Sequence, residues 1–151
     1  MSGLLHFEDF EVGQVIALGP YPVTAAEIRE FAEEFDPQPF HVDEDAGEAS
    51  ILGGLSASGW HVSAMLMRMI ADSWLNKSAS MGSNGVSDMK WLRPVLAGES
   101  LSGAMTIISK RVSSKRPEMG IFQCGFELFN GAGEKKTEMT ATVFMRVRAA
   151  C

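Results

Sequence analysis

Two titratable side chains, Asp36 and His41, lie five residues apart in the segment DPQPFH. Pro37 and Pro39 restrict the backbone between them, because a proline fixes its own φ and disfavours helix in the residue before it. A carboxylate and an imidazole on a constrained loop can take a proton from one group and return it to another. The pair therefore predicts acid–base chemistry.

A run of small residues follows this pair and leads into a predicted apolar helix that begins near Trp60. Its members are Gly53, Gly54, Ser56, Ser58 and Gly59. Small side chains at the start of a helix leave backbone N–H groups open to a negatively charged oxygen. Together with the acid–base pair, this helix entry favours chemistry beside a carbonyl group.

Three motifs carry a family resemblance: DPQPFH with a glycine 18 residues after its histidine, ILGGLSASGWH, and DMKWLRPVLAGESL at residues 88–101. They resemble the MaoC-like (R)-specific enoyl-CoA hydratases, or hydratase 2 family, over residues 7–148. The resemblance implies an α+β hot-dog fold, in which an antiparallel sheet wraps around a central buried helix. One domain is expected over residues 1–151. The family's usual loop reads GDxNPxH, whereas this chain has Phe35 before Asp36 and Gln38 in place of Asn.

The resemblance also implies an activity, the reversible hydration of a trans-2-enoyl-CoA to a (R)-3-hydroxyacyl-CoA. It assigns catalysis to Asp36 and His41 and the oxyanion hole to the N–H of Gly59. The candidates for substrate binding are Gln38, Trp60 and His61. No cofactor is expected, since coenzyme A is part of the substrate. The candidates for contacting its phosphates are Lys90, Arg93, Lys110 and Arg111.

Other interpretations of these residues stay open on the sequence alone. Asp36 before a proline is typical of a turn residue that bonds a local N–H. Core packing is the better interpretation of Trp60 and His61. The adjacent acids Asp43, Glu44 and Asp45 point in different directions on any regular backbone, so they predict a solvated face and no metal site.

The sequence leaves two alternatives to a hydratase open. A hot-dog thioesterase would rely on a carboxylate near the central helix, and the nearest candidate, Asp72, lies far from the helix start. A non-catalytic acyl-thioester-binding subunit could have kept the fold after the change to Gln38.

Composition limits the partners and the compartment. The formal net charge is −6 and basic residues form no run longer than a pair, which argues against nucleic acid. No window approaches the roughly 18 apolar residues of a membrane span. Cys124 and Cys151 are far apart, which favours a reducing compartment, so a cytoplasmic protein is predicted. The resemblance implies a homodimer or a dimer of dimers.

The elements that must hold the site are predicted from periodicity and capping. The Thr24-x-x-Glu27 capping box starts a helix whose apolar face is predicted to include Ile28, Phe31, Ala32 and Phe35. A short surface helix is predicted at 42–50, and the central helix, apolar nearly all round, runs from Trp60 to Trp74. A loop is predicted at 76–85. Strands are predicted at 14–18 with 21–23, 86–92, 101–112, 121–129 and 137–147, with a hairpin turn at 130–133.

Overall fold

Five strands form one antiparallel sheet in the computed structural model, which describes residues 3–149. The strands are β1 (Val15–Pro22), β2 (Ser80–Trp91), β3 (Ser100–Val112), β4 (Met119–Phe129) and β5 (Lys135–Arg146). Their order across the sheet is β1-β3-β4-β5-β2, so β1 and β2 are the two edges. Hairpins join β3 to β4 and β4 to β5, and the predicted turn at 130–133 connects the latter pair.

Four helices accompany the sheet: α1 (Ala25–Phe35), α2 (Pro39–Val42), α3 (Glu44–Ala49) and α4 (Gly59–Ser73). Short 3-10 turns at Phe7–Asp9 and Leu75–Lys77 complete the elements. The helix α4 is the predicted central helix. Its buried apolar residues are Val62, Met65, Leu66, Met69 and Ile70. They pack against a core drawn from every strand but β2, which confirms the predicted hot-dog arrangement of a sheet around a central helix.

Burial of α4 is less complete than its composition predicts. Trp60 is 65% exposed and Met67 is 47% exposed, so one side of the helix stays open in a single chain. Both residues lie on the side of α4 near β2, the sheet edge whose residues are nearly all exposed. Apolar side chains beside an unpaired strand mark the part of the molecule where a second chain could be added.

The first part of β2 was wrongly predicted as a loop. Its glycines and serines disfavour a strand, and Gly82, Gly85 and Asp88 all have positive φ. The strand nevertheless pairs with β5 from Ser80 onward, with register shifts that accommodate those residues. Tertiary pairing therefore overrides local composition here.

The first strand is continuous rather than broken. β1 runs through Gly19 and Pro20 with only a register shift against β3 between Leu18 and Tyr21. Gly19 is needed at this bulge, because its φ is +85° and an added Cβ would lie 2.7 Å from the Leu101 carbonyl oxygen.

The helix that leads to the site begins as predicted but buries a narrower face. Thr24 caps α1 by accepting a hydrogen bond from the Glu27 N–H at 3.1 Å. Ile28 and Ala32 are fully buried, whereas Phe35 is 66% exposed, so its place on the buried face was wrong. Phe35 is the last residue of α1 and lies outside the buried core, with its ring centroid 5.1 Å from that of Phe31.

No helix within residues 3–149 is long and apolar enough to cross a membrane.

Cys124 is fully buried in β4, and burial raises the pKa of its thiol to about 12, so it packs as an unreactive apolar residue. Cys151 lies outside the described residues.

Candidate active site

The Asp36 carboxylate and the His41 imidazole lie side by side although they come from different elements. Asp36 is the C-cap residue of α1, and His41 lies in the one-turn helix α2. Oδ2 of Asp36 and Nε2 of His41 are 3.5 Å apart, and both side chains are mostly buried. The fold therefore brings together the two side chains predicted to do acid–base chemistry.

The local structure that carries His41 differs from the predicted loop. Pro39 starts α2, where its missing N–H costs nothing and its fixed φ suits a helix. The chain between α1 and α2 is only three residues long, with Pro37 preventing α1 from continuing. Two prolines thus set the turn that points both side chains at each other.

The second ring nitrogen of His41 fixes how the imidazole can act. Nδ1 lies 2.6 Å from the carbonyl oxygen of Ser56. A carbonyl oxygen only accepts, so Nδ1 carries the hydrogen and donates it. In the neutral ring the lone pair is then on Nε2, facing Asp36. Two acceptors that face each other need a proton between them, from a protonated imidazole or from a water that donates to both.

Polar neighbours hold the pKa of the Asp36 carboxyl below its usual range. The Ser58 hydroxyl makes the largest contribution, and the Gln38 amide and the nearby His41 ring add to it, against the opposing effect of partial burial. Ser58 Oγ is buried and meets the ordinary geometry of a hydrogen bond with no group among residues 3–149, although it lies close enough to Asp36 to act on its charge. Asp36 is therefore an ionised acceptor at neutral pH.

Gln38 holds the Asp36 carboxylate in place. Its Nε2 donates to Oδ1 of Asp36 at 2.7 Å, which leaves Oδ2 as the oxygen that faces His41. The backbone N–H of Gln38 also donates to the Asp36 carbonyl at 2.8 Å. The residue that departs from the family's loop thus still reaches and orients the carboxylate.

Gly59 is the first residue of α4, as its predicted oxyanion role requires. The first hydrogen bond of that helix is from the Val62 N–H to the Ser58 carbonyl, at 2.9 Å. No backbone carbonyl in the described part of the chain accepts the Gly59 N–H, so this donor is available at the positive end of the helix. An added Cβ at Gly59 would lie 2.5 Å from Cδ2 of Trp91, so the tryptophan ring requires a glycine here.

A cavity of about 370 Å³ opens between His41 and Gly59, and we call it the His41 cavity. Its walls are mainly apolar and come from α2, the 50–57 loop, the start of α4 and the 91–95 segment. The lining residues are Phe40, His41, Ser50, Ile51, Leu52, Ser56, Ala57, Gly59, Val62, Trp91, Leu92, Arg93, Pro94 and Val95. Asp36 does not line the cavity and meets it only through Nε2 of His41. Such walls fit an apolar chain with a polar group at one end.

Two of the predicted substrate-binding residues lie elsewhere around α4. Trp60 is exposed and packs edge-on against Trp91, with ring centroids 5.1 Å apart. His61 is buried and lines a different cavity, with its ring stacked on Phe31 at 4.7 Å and its Nε2 donating to Glu27 at 3.0 Å. Substrate binding by Gln38, Trp60 and His61 stays a prediction.

The charged residues around the cavity are few and mostly engaged. Of the four predicted phosphate contacts, only Arg93 lines the cavity, and Glu134 lies 3.5 Å from its guanidinium. Lys110 instead donates to the carbonyls of Phe7 and Phe10. In the acidic run after His41, Asp43 caps α3 and Glu44 pairs with Arg29 at 3.3 Å. The described residues contain no cluster of potential metal ligands.

Ser58 and Trp91 were not assigned to the site from the sequence. A serine before a helix is typical of an N-cap residue, yet the Ser58 side chain makes no capping bond and instead influences Asp36. Trp91 lies within the motif DMKWLRPVLAGESL, which was interpreted only as a strand and a turn. Its contact with Gly59 joins residues 32 positions apart, so no local pattern could reveal it.

Comparisons with known proteins agree with this fold. Residues 9–121 match the family model described as a MaoC like domain. The MaoC-like dehydratase from Rhodospirillum rubrum is 38% identical and superposes with a TM-score of 0.88, over 97% of this chain and 99% of that one. The uncharacterized protein YdeM of Bacillus subtilis (strain 168) is 25% identical over 142 residues, which cover 94% of this chain and 99% of YdeM. The R-hydratase PhaJ1 from Pseudomonas aeruginosa is 19% identical and shares the fold, with a TM-score of 0.76 over 98% of this chain and 93% of that one.

Proposed function

This chain belongs to the MaoC-like domain family, and on that basis we propose that it is a hydro-lyase that adds water reversibly to a trans-2-enoyl-CoA. The observation that carries the proposal is the meeting of the Asp36–His41 pair with a free helix N-terminus at one cavity. The product would be the (R)-3-hydroxyacyl-CoA. The relatives named as a dehydratase and as an R-hydratase support this class of reaction.

A single water held by both groups accounts for the Asp36–His41 geometry. With Nδ1 of His41 donating to Ser56, Nε2 accepts one proton of the water and Oδ2 of Asp36 accepts the other. The lone pairs of the water oxygen then point away from both acceptors, toward a substrate in the His41 cavity. Positioned acid–base groups of this kind contribute on the order of 10² to 10⁴-fold in rate.

The thioester oxygen would accept a hydrogen bond from the N–H of Gly59. As the water oxygen bonds to C3, the π pair of the alkene forms a double bond between C1 and C2 and the π pair of the carbonyl moves onto the thioester oxygen, which gives an enolate. The N–H and the positive end of α4 stabilise the new charge, and one such donor is worth about 3 to 4 kcal/mol of barrier. The water proton taken by the pair returns to C2 on the same face, which completes the addition. The site needs no metal, because the thioester already activates the alkene.

The substrate's carrier and the assembly are part of the same proposal. Arg93 lies at the cavity and is the best placed of the candidate contacts for coenzyme A phosphates. The exposed edge strand β2 and the open side of α4 favour pairing with a second copy, as a homodimer or a dimer of dimers. Light scattering on the purified protein would measure the mass of the assembly directly.

The thioesterase alternative has less support. Asp72 is exposed near the end of α4 and is paired with Arg68 at 2.8 Å, away from the His41 cavity. A role restricted to binding acyl thioesters is harder to distinguish from hydration by the structure, because the same cavity would hold the acyl thioester in both cases. The test is incubation with crotonyl-CoA and identification of the product. Hydroxyacyl-CoA establishes the hydratase, free thiol indicates a thioesterase, and binding without product indicates a binding protein.

A further inference from the structure

One side of α4 connects the site to a second cavity. Gly59, Ser63, Met67 and Ile70 are spaced four, four and three residues apart, so they form a single stripe along the helix. Gly59 lies at the His41 cavity. Met67 and Ile70 lie at a second cavity of about 280 Å³ between α4 and the sheet, which we call the Met67 cavity.

The Met67 cavity is almost entirely apolar and lies beside β2 and β5. Its lining residues are Met67, Ile70, Leu75, Gly82, Ser83, Val86, Phe126, Met139, Ala141 and Val143. An alkyl chain is the chemistry that such walls accept, since they offer little to a polar group. Strand β2 runs alongside the helical stripe, with Trp91 near Gly59 at one end and Val86 at the Met67 cavity toward the other.

Trp91 lines the His41 cavity and is held against the helical stripe by two contacts. Its ring packs on the backbone of Gly59, where even a methyl group would not fit. Its Nε1 donates to Ser63 Oγ at 3.1 Å, one turn further along the stripe. Ser63 Oγ also lies 3.5 Å from the sulfur of Met89, so a second side chain of β2 fills the space behind the indole.

We propose that Trp91 restricts the substrate to short acyl groups by closing the His41 cavity toward the Met67 cavity. This inference rests on the proposed function, because it assumes that the thioester carbonyl lies at Gly59. An acyl chain that starts there and continues along α4 meets the indole within one helical turn. Removing the ring joins the two cavities and gives a long chain an apolar path.

The test compares trans-2-enoyl-CoA substrates with 4, 8 and 12 carbons on the wild type and on Trp91→Ala. The wild type is expected to lose kcat/KM as the chain lengthens. In Trp91→Ala the ratio of kcat/KM for 8 carbons to that for 4 carbons should rise at least about tenfold, since each methylene taken from water is worth about fourfold. Val112→Ala, which trims a comparably exposed apolar residue at the far end of β3, should leave the ratio unchanged.

Two further measurements distinguish a failure of the proposed role of Trp91 from a failure of the hydratase proposal. Calorimetric binding of butyryl-, octanoyl- and dodecanoyl-CoA tests the same order of chain lengths without any hydration, so it stands even if the hydratase proposal fails. Ser63→Ala keeps the indole but removes the hydroxyl that accepts its hydrogen bond and contacts Met89, and it should shift the ratio in the same direction by less. A wild type that accepts 12 carbons as well as 4, or a Trp91→Ala ratio equal to that of the wild type, overturns the role of Trp91.

Discussion

Nε2 of His41 lies 3.5 Å from Oδ2 of Asp36, while Nδ1 of the same ring donates to the Ser56 carbonyl at 2.6 Å. The contact with Ser56 determines that the other ring nitrogen, Nε2, faces Asp36 without a hydrogen when the ring is neutral. The pair is therefore suited to hold a water between two acceptors.

Gln38→Met should lower kcat about tenfold with little change in KM. Methionine has nearly the length of glutamine but cannot donate, so Oδ1 of Asp36 loses its 2.7 Å hydrogen bond and the carboxylate is free to turn. A hydrogen bond to a charged group is worth about 1.5 to 3 kcal/mol, reduced here because Gln38 is exposed. Gln38→Asn is the control that keeps the amide and should retain more activity. Equal kcat for Gln38→Met and the wild type would contradict an orienting role.

Ser58→Ala should move the acidic limb of the pH–rate profile upward. The hydroxyl is the largest influence that lowers the pKa of Asp36, so removing it raises that pKa and the carboxylate is protonated at a higher pH. The free energy of unfolding should fall at neutral pH, because a hydroxyl that lowers the folded-state pKa of a carboxyl stabilises the fold wherever that carboxyl is ionised. Measuring kcat/KM between pH 3 and 8, beside urea unfolding, checks both parts. An unmoved acidic limb would mean that Ser58 does not act on Asp36 in the working enzyme.

Gly59→Ala should destabilise the protein by about 1 to 3 kcal/mol, the usual cost of overpacking, because its methyl group would overlap the Trp91 ring. In a Trp91→Ala background the same change should be neutral or slightly stabilising, since alanine is the better helix former. Urea unfolding of the wild type, the two single variants and the double variant gives this coupling energy. Additive effects would show that the two residues do not touch in solution.

Tyr21→Phe should destabilise the protein at neutral pH by about 1 to 2 kcal/mol, because it removes a hydrogen bond to a charged but partly exposed group. The Tyr21 hydroxyl and Nε2 of His61 both donate to Oε1 of Glu27, which ties β1 and α4 to the first turn of α1. Although burial alone would raise the pKa of Glu27, these two donors lower it on balance. Its stabilising effect is therefore present above the carboxyl's unfolded pKa and is lost as pH falls through the lower folded value.

The difference between Tyr21→Phe and the wild type should accordingly shrink in acid. Urea unfolding at pH 7 and at pH 3 measures the difference in unfolding free energy at both ends. Glu30→Gln, an exposed neighbour on α1, serves as a control that keeps the network. A difference that is the same at both pH values would show that the Glu27 charge plays no part in the effect.

Sequence predicted those parts of the fold that depend on local patterns. The Thr24 cap, the apolar stripe of α4 and the alternation in β5 each reflect interactions within about one turn or one strand, so residue order reveals them. The start of β2 was missed because its pairing with β5 joins residues about 60 positions apart and compensates for a poor strand composition.

The site residues likewise divide into those that the local sequence indicates and those that only the packing of separate elements brings together. The segment DPQPFH, its two prolines and the resemblance to the hydratase 2 family made Asp36 and His41 candidates for catalysis, and Gly59 became a candidate through the same resemblance and its place at a helix entry. The contacts of Ser58 with Asp36, of Trp91 with Gly59 and of His61 with Glu27 could not be predicted, since each depends on how separate elements pack.

In the proposed mechanism, Asp36 and His41 together activate water for addition to an enoyl thioester. The most direct measurement follows the loss of enoyl absorbance of crotonyl-CoA with the wild type, Asp36→Asn and His41→Ala, each checked for folding by circular dichroism. We expect hydroxybutyryl-CoA from the wild type, and a decrease in kcat of about 10² to 10⁴-fold in each folded variant, as for the loss of a positioned acid–base group. Hydration by either variant at the wild-type rate, or a folded wild type that hydrates no enoyl thioester, would contradict the account.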